Sequence, residues 1–400
     1  MRAIPGAWQR TARGAGLLGA DGSAAPTIFA EMSALAARTG AINLGQGFPD
    51  EDGPVEVLEA ARDAIAAGVN QYPPGRGMPD LRAAIAEHQD RFYGLRPDPE
   101  TEVLVTAGAT EALAAAILAL VDSPDDEVVV FEPYYDEYAA CVALAGARLV
   151  AVPLRWPDFQ PDLDDLRRAV SDRTRLILVN DPHNPTGAVF TRDVLELVVE
   201  LAERHDAIIV TDEVYEHLVF EGPHTALATL PGAAERTLSI SSGGKTFSTT
   251  GWKIGWVTGP ADLVQAVLTV KQYLTYVGGA PFQPAIAAGL RLPDAFFTGI
   301  AATMRHKSDL LGDGLRAAGF AVSRPAGSYF TVADAGPLGA EDAAEFCRTL
   351  PARAGVVAIP LTAFATPERQ GDYATLVRFA ACKRVDVLEE AAARLAALPR

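Results

Sequence analysis

Lys245 stands in the run Ser239-Ile-Ser-Ser-Gly-Gly-Lys-Thr-Phe-Ser-Thr-Thr-Gly-Trp-Lys-Ile-Gly255, with small residues on its N-terminal side and Lys253 following it. Gly243 and Gly244 let backbone approach a ligand closely. Ser242 can donate to an oxyanion, and Lys253 supplies a point charge. These surroundings suit a lysine that forms a Schiff base with a phosphorylated aldehyde, pyridoxal phosphate. The run Gly244-Lys245-Thr246 also looks like the end of a P-loop. That motif needs a glycine where Ser239 stands, so an ATPase reading fails on its own pattern.

Other polar residues fall just beyond apolar runs that read as strands, where open α/β sheets collect ligands. In Thr106-Ala-Gly-Ala-Thr110, a strand runs straight into a helix, and the N–H groups of Ala109 and Thr110 offer an anion site. A plain turn capped by Thr110 explains the same residues. Asn184 lies between Pro182 and Pro185, either held to donate a hydrogen bond or part of an ordinary turn. Ile208-Ile-Val-Thr-Asp-Glu-Val-Tyr215 delivers Asp212 at the end of a buried strand with Tyr215 three places on. A buried acid there needs a partner, and both a structural cation and a pyridinium nitrogen qualify. Tyr135, in Glu132-Pro-Tyr-Tyr-Asp136, suits either core packing or stacking on a flat ring. Arg378 interrupts the apolar run Leu376 to Ala380, which favours a carboxylate-gripping fork over an internal ion pair. The histidines, His183 and His217 among them, show no metal-ligand spacing, so no metal is expected.

The elements that must position these residues follow from periodicity. Strand-like runs are predicted at 102–106, 127–131, 148–154, 175–180, 207–211, 237–241 and 255–258, alternating with helical runs such as 110–121, 162–170 and 192–204. That alternation predicts an α/β fold with a mainly parallel sheet covered by helices. The gap between the last two strands is too short for a crossover helix, so one of them should be antiparallel. Segment 41–77 is rich in Gly and Pro and should run as loops around one helix, 55–67. Beyond about residue 290, helix 294–318, short strands near Ala321 and Tyr329 and a final helix read as a smaller α+β domain.

The chain of 400 residues is 49% apolar with a formal charge of −17, which fits a soluble globular protein and argues against nucleic acid as a partner. Cys141, Cys347 and Cys382 are scattered, giving neither a disulfide framework nor a metal pair, and a reducing cytoplasm fits best. The longest apolar helix candidate, 112–121, is about half the length of a membrane span. The N-terminal stretch carries Arg2, Arg10 and Arg13 without an acid, but Pro5 and Gly6 interrupt it and no apolar signal core follows. It is expected to be a loose arm, residues 1–25.

Together these segments resemble the class I/II aminotransferases of the fold-type-I pyridoxal phosphate family, from about Pro26 onward. The matching pieces occur in the family's order: Asn43-Leu-Gly-Gln-Gly-Phe-Pro-Asp50, Asn70-Gln-Tyr72, the Asn184-Pro-Thr-Gly turn, the Asp212 strand, the lysine segment and the Arg378 strand. The resemblance implies a large cofactor domain over 51–290 and a small domain from 26–50 with 291–400. It implies pyridoxal 5'-phosphate on Lys245, Asp212 at the ring nitrogen, Asn184 and Tyr215 at the phenolic oxygen, and Tyr135 stacked on the ring. The phosphate would sit on Ala109, Thr110, Ser242 and Lys253, with Tyr72 reaching in from the neighbouring subunit of a homodimer whose sites lie at the interface. Arg378 would grip the substrate α-carboxylate, helped by Gly47, with Phe29 and Asn184 beside it. Ping-pong exchange between an amino acid and a 2-oxo acid such as 2-oxoglutarate would follow.

Within that family, the segments 28–35, 45–54, 276–283 and 381–384 look most like bacterial N-succinyldiaminopimelate aminotransferases of lysine biosynthesis. Kynurenine, glutamine and methionine transaminases are related. The kynurenine type carries a tryptophan where Phe29 falls and an aromatic-His pair near Gly278 and Gly279, so this pocket should be roomier. Arg76 and Lys271 are candidates for a distal substrate carboxylate. Rival readings are a carbon–sulfur β-lyase on the same fold and a non-catalytic pyridoxal phosphate-binding regulator; the latter would need a DNA-binding domain that the short leader and acidic charge do not offer.

Overall fold

A computed structural model describes residues 6–19 and 22–398. The strands in chain order are β1 (Ile42–Asn43), β2 (Val103–Thr106), β3 (Glu127–Glu132), β4 (Arg148–Arg155), β5 (Gln160–Pro161), β6 (Thr174–Asn180) and β7 (Ile208–Asp212). They continue as β8 (Thr237–Ser242), β9 (Gly255–Thr258), β10 (Ala321–Val322), β11 (Phe330–Asp334), β12 (Val356–Val357), β13 (Ile359–Pro360) and β14 (Leu376–Ala380).

The apolar runs between residues 103 and 258 form one sheet in the order β2-β9-β8-β7-β6-β3-β4-β5. Neighbours β8, β7, β6, β3 and β4 are parallel, whereas β9 is antiparallel to both β8 and β2. The short connection from β8 to β9 dictates that reversal, because its space is filled only by the helical turn Gly243–Thr246 and a 3-10 turn. Both faces of the sheet are covered. Val129, Ile177 and Ile209 pack into one apolar cluster and Val128, Leu176, Val210 and Ile240 into another. Alternation of side chains along each strand sends neighbouring residues into different layers, so the strands must be apolar throughout.

Helices Ala109–Leu120, Leu163–Ala169 and Arg192–Arg204 answer the predicted helical runs, and Asp136–Ala145 adds a crossover between β3 and β4. Because the strands are parallel, their C-terminal ends, at Thr106, Glu132, Asn180, Asp212 and Ser242, open on one edge of the sheet. A second, antiparallel sheet, β10-β11-β14-β13, carries Arg378 opposite Val332, and β1 pairs with β12. Helix Asp294–Ala318 ends at Gly319 in the left-handed conformation and packs on Val385–Ala396.

The N-terminal stretch expected to be loose contains a helix, Ala7–Gly14, seated on Asp136–Ala145. Gly14 meets that helix so closely that a Cβ there would stand 2.5 Å from the Ala143 Cβ. Arg2, Pro5 and residues 20 and 21 lie outside the described residues. No single helix among the described residues is long and apolar enough to cross a membrane.

Candidate active site

The strand ends and the second sheet enclose a cavity of about 320 Å³. Its wall brings together Phe29, Gly47, Ala109, Thr110, Tyr135, Asn184, Asp212, Tyr215, Ser242, Lys245, Lys253 and Arg378 from the sequence analysis. Tyr72 is the exception. It is 81% exposed, edge-on to Tyr276 with ring centroids 5.6 Å apart, and lines a separate hollow with Gly278 and Gly279.

Lys245 sits on the helical turn that leaves β8, with Nζ donating weakly to the Gly47 carbonyl at 3.4 Å. The ammonium lies 5.7 Å from the ring centroids of both Tyr215 and Tyr329. Burial lowers its pKa, opposed by the charge of Asp212, so this amine gives up its proton more readily than an exposed lysine. Gly47 has no room for a side chain, since a Cβ would stand 2.6 Å from the Phe330 ring.

Asp212 ends β7. Its Oδ2 accepts from the Tyr138 hydroxyl at 2.6 Å, while Oδ1 is buried without a partner. Burial pushes its pKa up to about 6, against the Tyr138 hydrogen bond, the Val214 N–H and Lys245. A cationic N–H at Oδ1 would hold it ionised. Asn180, at the end of β6, fixes the neighbouring pieces: its Nδ2 donates to the Asp212 carbonyl at 2.8 Å, and its Oδ1 accepts from the Asn184 N–H at 2.7 Å.

Arg378 is fully buried. Nη1 donates to Asn184 Oδ1 at 2.9 Å and Nη2 to the Gly45 carbonyl at 2.6 Å, while Nε has no partner. The Phe330, Phe364 and Phe29 rings lie 4.2, 4.7 and 5.4 Å from its Cζ. Among the described residues no carboxylate forms a salt bridge with it, and Asp136 acts on it only through its charge. Burial lowers its pKa to about 10, which leaves it charged at neutral pH. Because Asn184 spends its oxygen on Arg378, its amide N–H groups remain to donate elsewhere.

At the anion side, Gly108 (φ 81°) begins helix Ala109–Leu120, and a Cβ there would lie 3.1 Å from Lys253 Nζ. β9 comes equally close, since a Cβ on Gly255 would meet Ala109 N at 2.7 Å. Glycine at both places therefore lets Lys253, itself left-handed at φ 56°, reach the helix start. Ser242 caps its helical turn without spending its hydroxyl there.

The family profile "Aminotransferase class I and II" matches residues 39–395. The chain belongs to the class I and II aminotransferases. It is 55% identical to a probable N-succinyldiaminopimelate aminotransferase of Mycobacterium tuberculosis over 94% of this chain and 96% of that one. A solved structure of the N-succinyldiaminopimelate aminotransferase from that organism superposes with a TM-score of 0.91, covering 94% of this chain and 98% of the other. A methionine aminotransferase of Escherichia coli is 39% identical over 92% and 95% of the two chains.

The cavity of this aminotransferase also holds residues that the sequence did not single out, notably Gln46, Phe48, Glu137 and Phe330. Tyr138 lies behind the wall as the donor to Asp212. Glu137 was findable, since it follows a strand end by the same rule that found Tyr135. Phe330 was not, because it arrives from β11 on the other sheet. Arg76 and Lys271 stay out of the cavity wall. Arg76 bonds Gln265 Oε1 and the Thr101 carbonyl; Lys271 ties the Gly75 and Tyr276 carbonyls at 3.0 and 2.6 Å.

No metal spacing is visible in the sequence, yet His88, Glu216 and His217 gather with ligand atoms within 4.8 Å of one another. Each of the three already bonds to protein. His88 Nε2 and His217 Nε2 share a hydrogen bond at 2.7 Å, and the Glu216 oxygens accept from Tyr93 and Ser241.

Proposed function

We propose that this aminotransferase transfers the amino group of N-succinyldiaminopimelate to 2-oxoglutarate, a step of lysine biosynthesis, by ping-pong exchange on pyridoxal 5'-phosphate. The observation that carries the substrate is the 55% identity to the mycobacterial enzyme across nearly the whole length of both chains. Support for the cofactor comes from groups left unspent in the cavity: Asp212 Oδ1 without a partner, the Ser242 hydroxyl, and the glycine-cleared approach of Lys253 to Ala109 and Thr110. These residues fit a ring with a cationic nitrogen and a phosphate tail. Asp212 would take the nitrogen, Asn184 and Tyr215 the phenolic oxygen, Tyr135 the ring face, and Ala109, Thr110, Ser242 and Lys253 the phosphate.

When bound, pyridoxal phosphate supplies an aldehyde for the amine and an electron sink for the bond broken at Cα. The chain supplies the rest. Arg378 and the backbone at Gly47 hold the substrate α-carboxylate, and the buried guanidinium fixes its orientation through paired N–H donors. Lys245 Nζ, held by Gly47 and lowered in basicity by burial, would take the Cα proton and redeliver it two bonds away, to the carbon of the cofactor's aldehyde, as a short-range general base and acid. Phe29, Phe330 and Phe364 keep water off the Arg378 side.

Tyr72, exposed and edge-on to Tyr276, serves the cavity of a second copy in a homodimer with sites at the interface. Residues 51–290 act as the cofactor domain, and 26–50 with 291–400 as the smaller one. A cytoplasmic location suits the reduced, scattered cysteines.

A donor panel with 2-oxoglutarate as acceptor tests the substrate. N-succinyldiaminopimelate should give the highest kcat/KM, ahead of methionine, glutamine and kynurenine. A preference for any of the other three overturns the substrate and leaves the reaction class standing, whereas pyruvate and ammonia formed without an acceptor would point to β-elimination.

A further inference from the structure

Two carboxyl groups line the cavity, Asp212 and Glu137. Asp212 holds the Tyr138 hydroxyl on Oδ2, and its bare Oδ1 is the one offered to the ring nitrogen. Glu137 has no such assignment. It stands in the first turn of helix Asp136–Ala145, two residues after Tyr135, and both of its oxygens are buried without a hydrogen bond of full geometry, the Thr110 hydroxyl alone standing within loose reach. An ionised carboxylate left bare in a buried wall is costly. It would also face a bound phosphate as a like charge, which is unfavourable at close range in low dielectric. Holding a proton removes both penalties and turns one bare oxygen into a donor.

The groups around Glu137 set the balance. From β7 comes Asp212, whose charge raises the Glu137 pKa; from the start of helix Ala109–Leu120 comes the Thr110 hydroxyl, and from beyond the 3-10 turn Lys253, both of which lower it. On its own helix, Asp136 raises it, and Tyr138 and Cys141 are close enough to feel it. Burial is the largest influence and carries the group up to about 8.

We propose that Glu137 is a positioning residue for the phosphate. Resting on the pyridoxal phosphate reading, it holds a proton while the cavity is loaded, so the cradle of Ala109, Thr110, Ser242 and Lys253 presents a neutral donor rather than a second carboxylate. Above its titration, binding of the anion must take up one proton onto the Glu137 carboxylate, and affinity falls as pH rises.

The probe is pyridoxamine 5'-phosphate, which carries ring and phosphate but no aldehyde, titrated calorimetrically into the cofactor-free full chain between pH 6.5 and 9.5. The wild type and E137Q should bind within about threefold of each other at the acid end. By the alkaline end the wild type should be weaker by roughly tenfold, a limit of about one decade per pH unit beyond the titration. At pH 9, titrations in buffers of different ionisation enthalpy should show the wild type taking up close to one proton more than E137Q. E137S, which also lacks a titrating group, should give the same flat profile and stands in if E137Q does not fold. A merely structural Glu137 would shift affinity equally at every pH. Parallel pH profiles for the wild type and the variants overturn the proposal while leaving the cofactor reading intact. Absence of binding by every protein at every pH removes both.

Discussion

The segment Asp212 to His217 has two sides, and they treat buried charge in opposite ways. One side faces the cavity: Asp212 keeps a free oxygen, Arg378 a free Nε, and Lys245 only a 3.4 Å contact to a carbonyl. The other side is a polar network shut inside the protein, in which Glu216 accepts from Tyr93 and Ser241 and His217 shares a hydrogen bond with His88, while His224 lies 3.7 Å from Glu213 and 3.9 Å from Asp181 with neither ring nitrogen in a hydrogen bond of full geometry. Burial shifts pKa values on both sides. Asp212 rises to about 6 and Glu216 to about 7, while His88 falls to about 3. A perturbed pKa therefore does not mark the catalytic side. Unspent hydrogen-bonding capacity that opens on a cavity does: His224 also lacks full hydrogen bonds, but it lies outside the cavity wall that Asp212, Lys245 and Arg378 share.

The comparison can be broken by removing one group from each side. The largest effect is expected from Lys245→Ala, which should lower kcat by at least about a thousandfold, the upper range of a lost general base. It should also abolish the visible absorption band of the cofactor-loaded protein. Stability should hold or improve, since a buried and poorly partnered cation is gone. A variant that unfolds but keeps its colour would assign Lys245 to the wrong side.

Glu216→Ala should do the reverse. It leaves the Tyr93 and Ser241 hydroxyls buried without an acceptor, at a cost of about 3 kcal/mol in denaturant-measured stability. Turnover per folded molecule should stay within about threefold. A loss of kcat matching that of Lys245→Ala, with stability unchanged, would merge the two sides into one site.

The smallest effect sharpens the place of Glu137. Its folded pKa is raised from 4.5 to about 8, so the stability it contributes is present below the unfolded value and lost as pH rises through the folded one. Relative to the wild type, Glu137→Gln should therefore gain about 1.4 kcal/mol in cofactor-free stability between pH 7 and 9. Thermal melts across that range measure it, and a constant difference would mean that Glu137 does not titrate there.

Much of this was legible beforehand. Lys245, Asp212, Asn184 and Ser242 could be read because parallel strands bring their C-terminal ends to one edge, so polar residues just past apolar runs are already neighbours. The reversed strand β9 was legible from a connection too short for a crossover. That Arg378 would be buried was readable from its apolar strand, but not that Asn184 would be its partner. Those residues lie on different sheets, and their 2.9 Å contact depends on how the sheets meet. The helix at Ala7–Gly14 was missed because its seat depends on Ala139 and Ala143, remote residues that its own pattern does not record.

The sequence by itself determined the reaction class, the central sheet and the residue types at each strand end, because local periodicity and parallel pairing leave little freedom there. Only the tertiary structure decided which buried acids stay unpaired. Asp212, Glu137 and Glu216 look alike as letters. Whether each finds a donor depends on side chains brought from elsewhere: Tyr138 for Asp212, Tyr93 and Ser241 for Glu216, and for Glu137 no more than the loosely placed Thr110 hydroxyl.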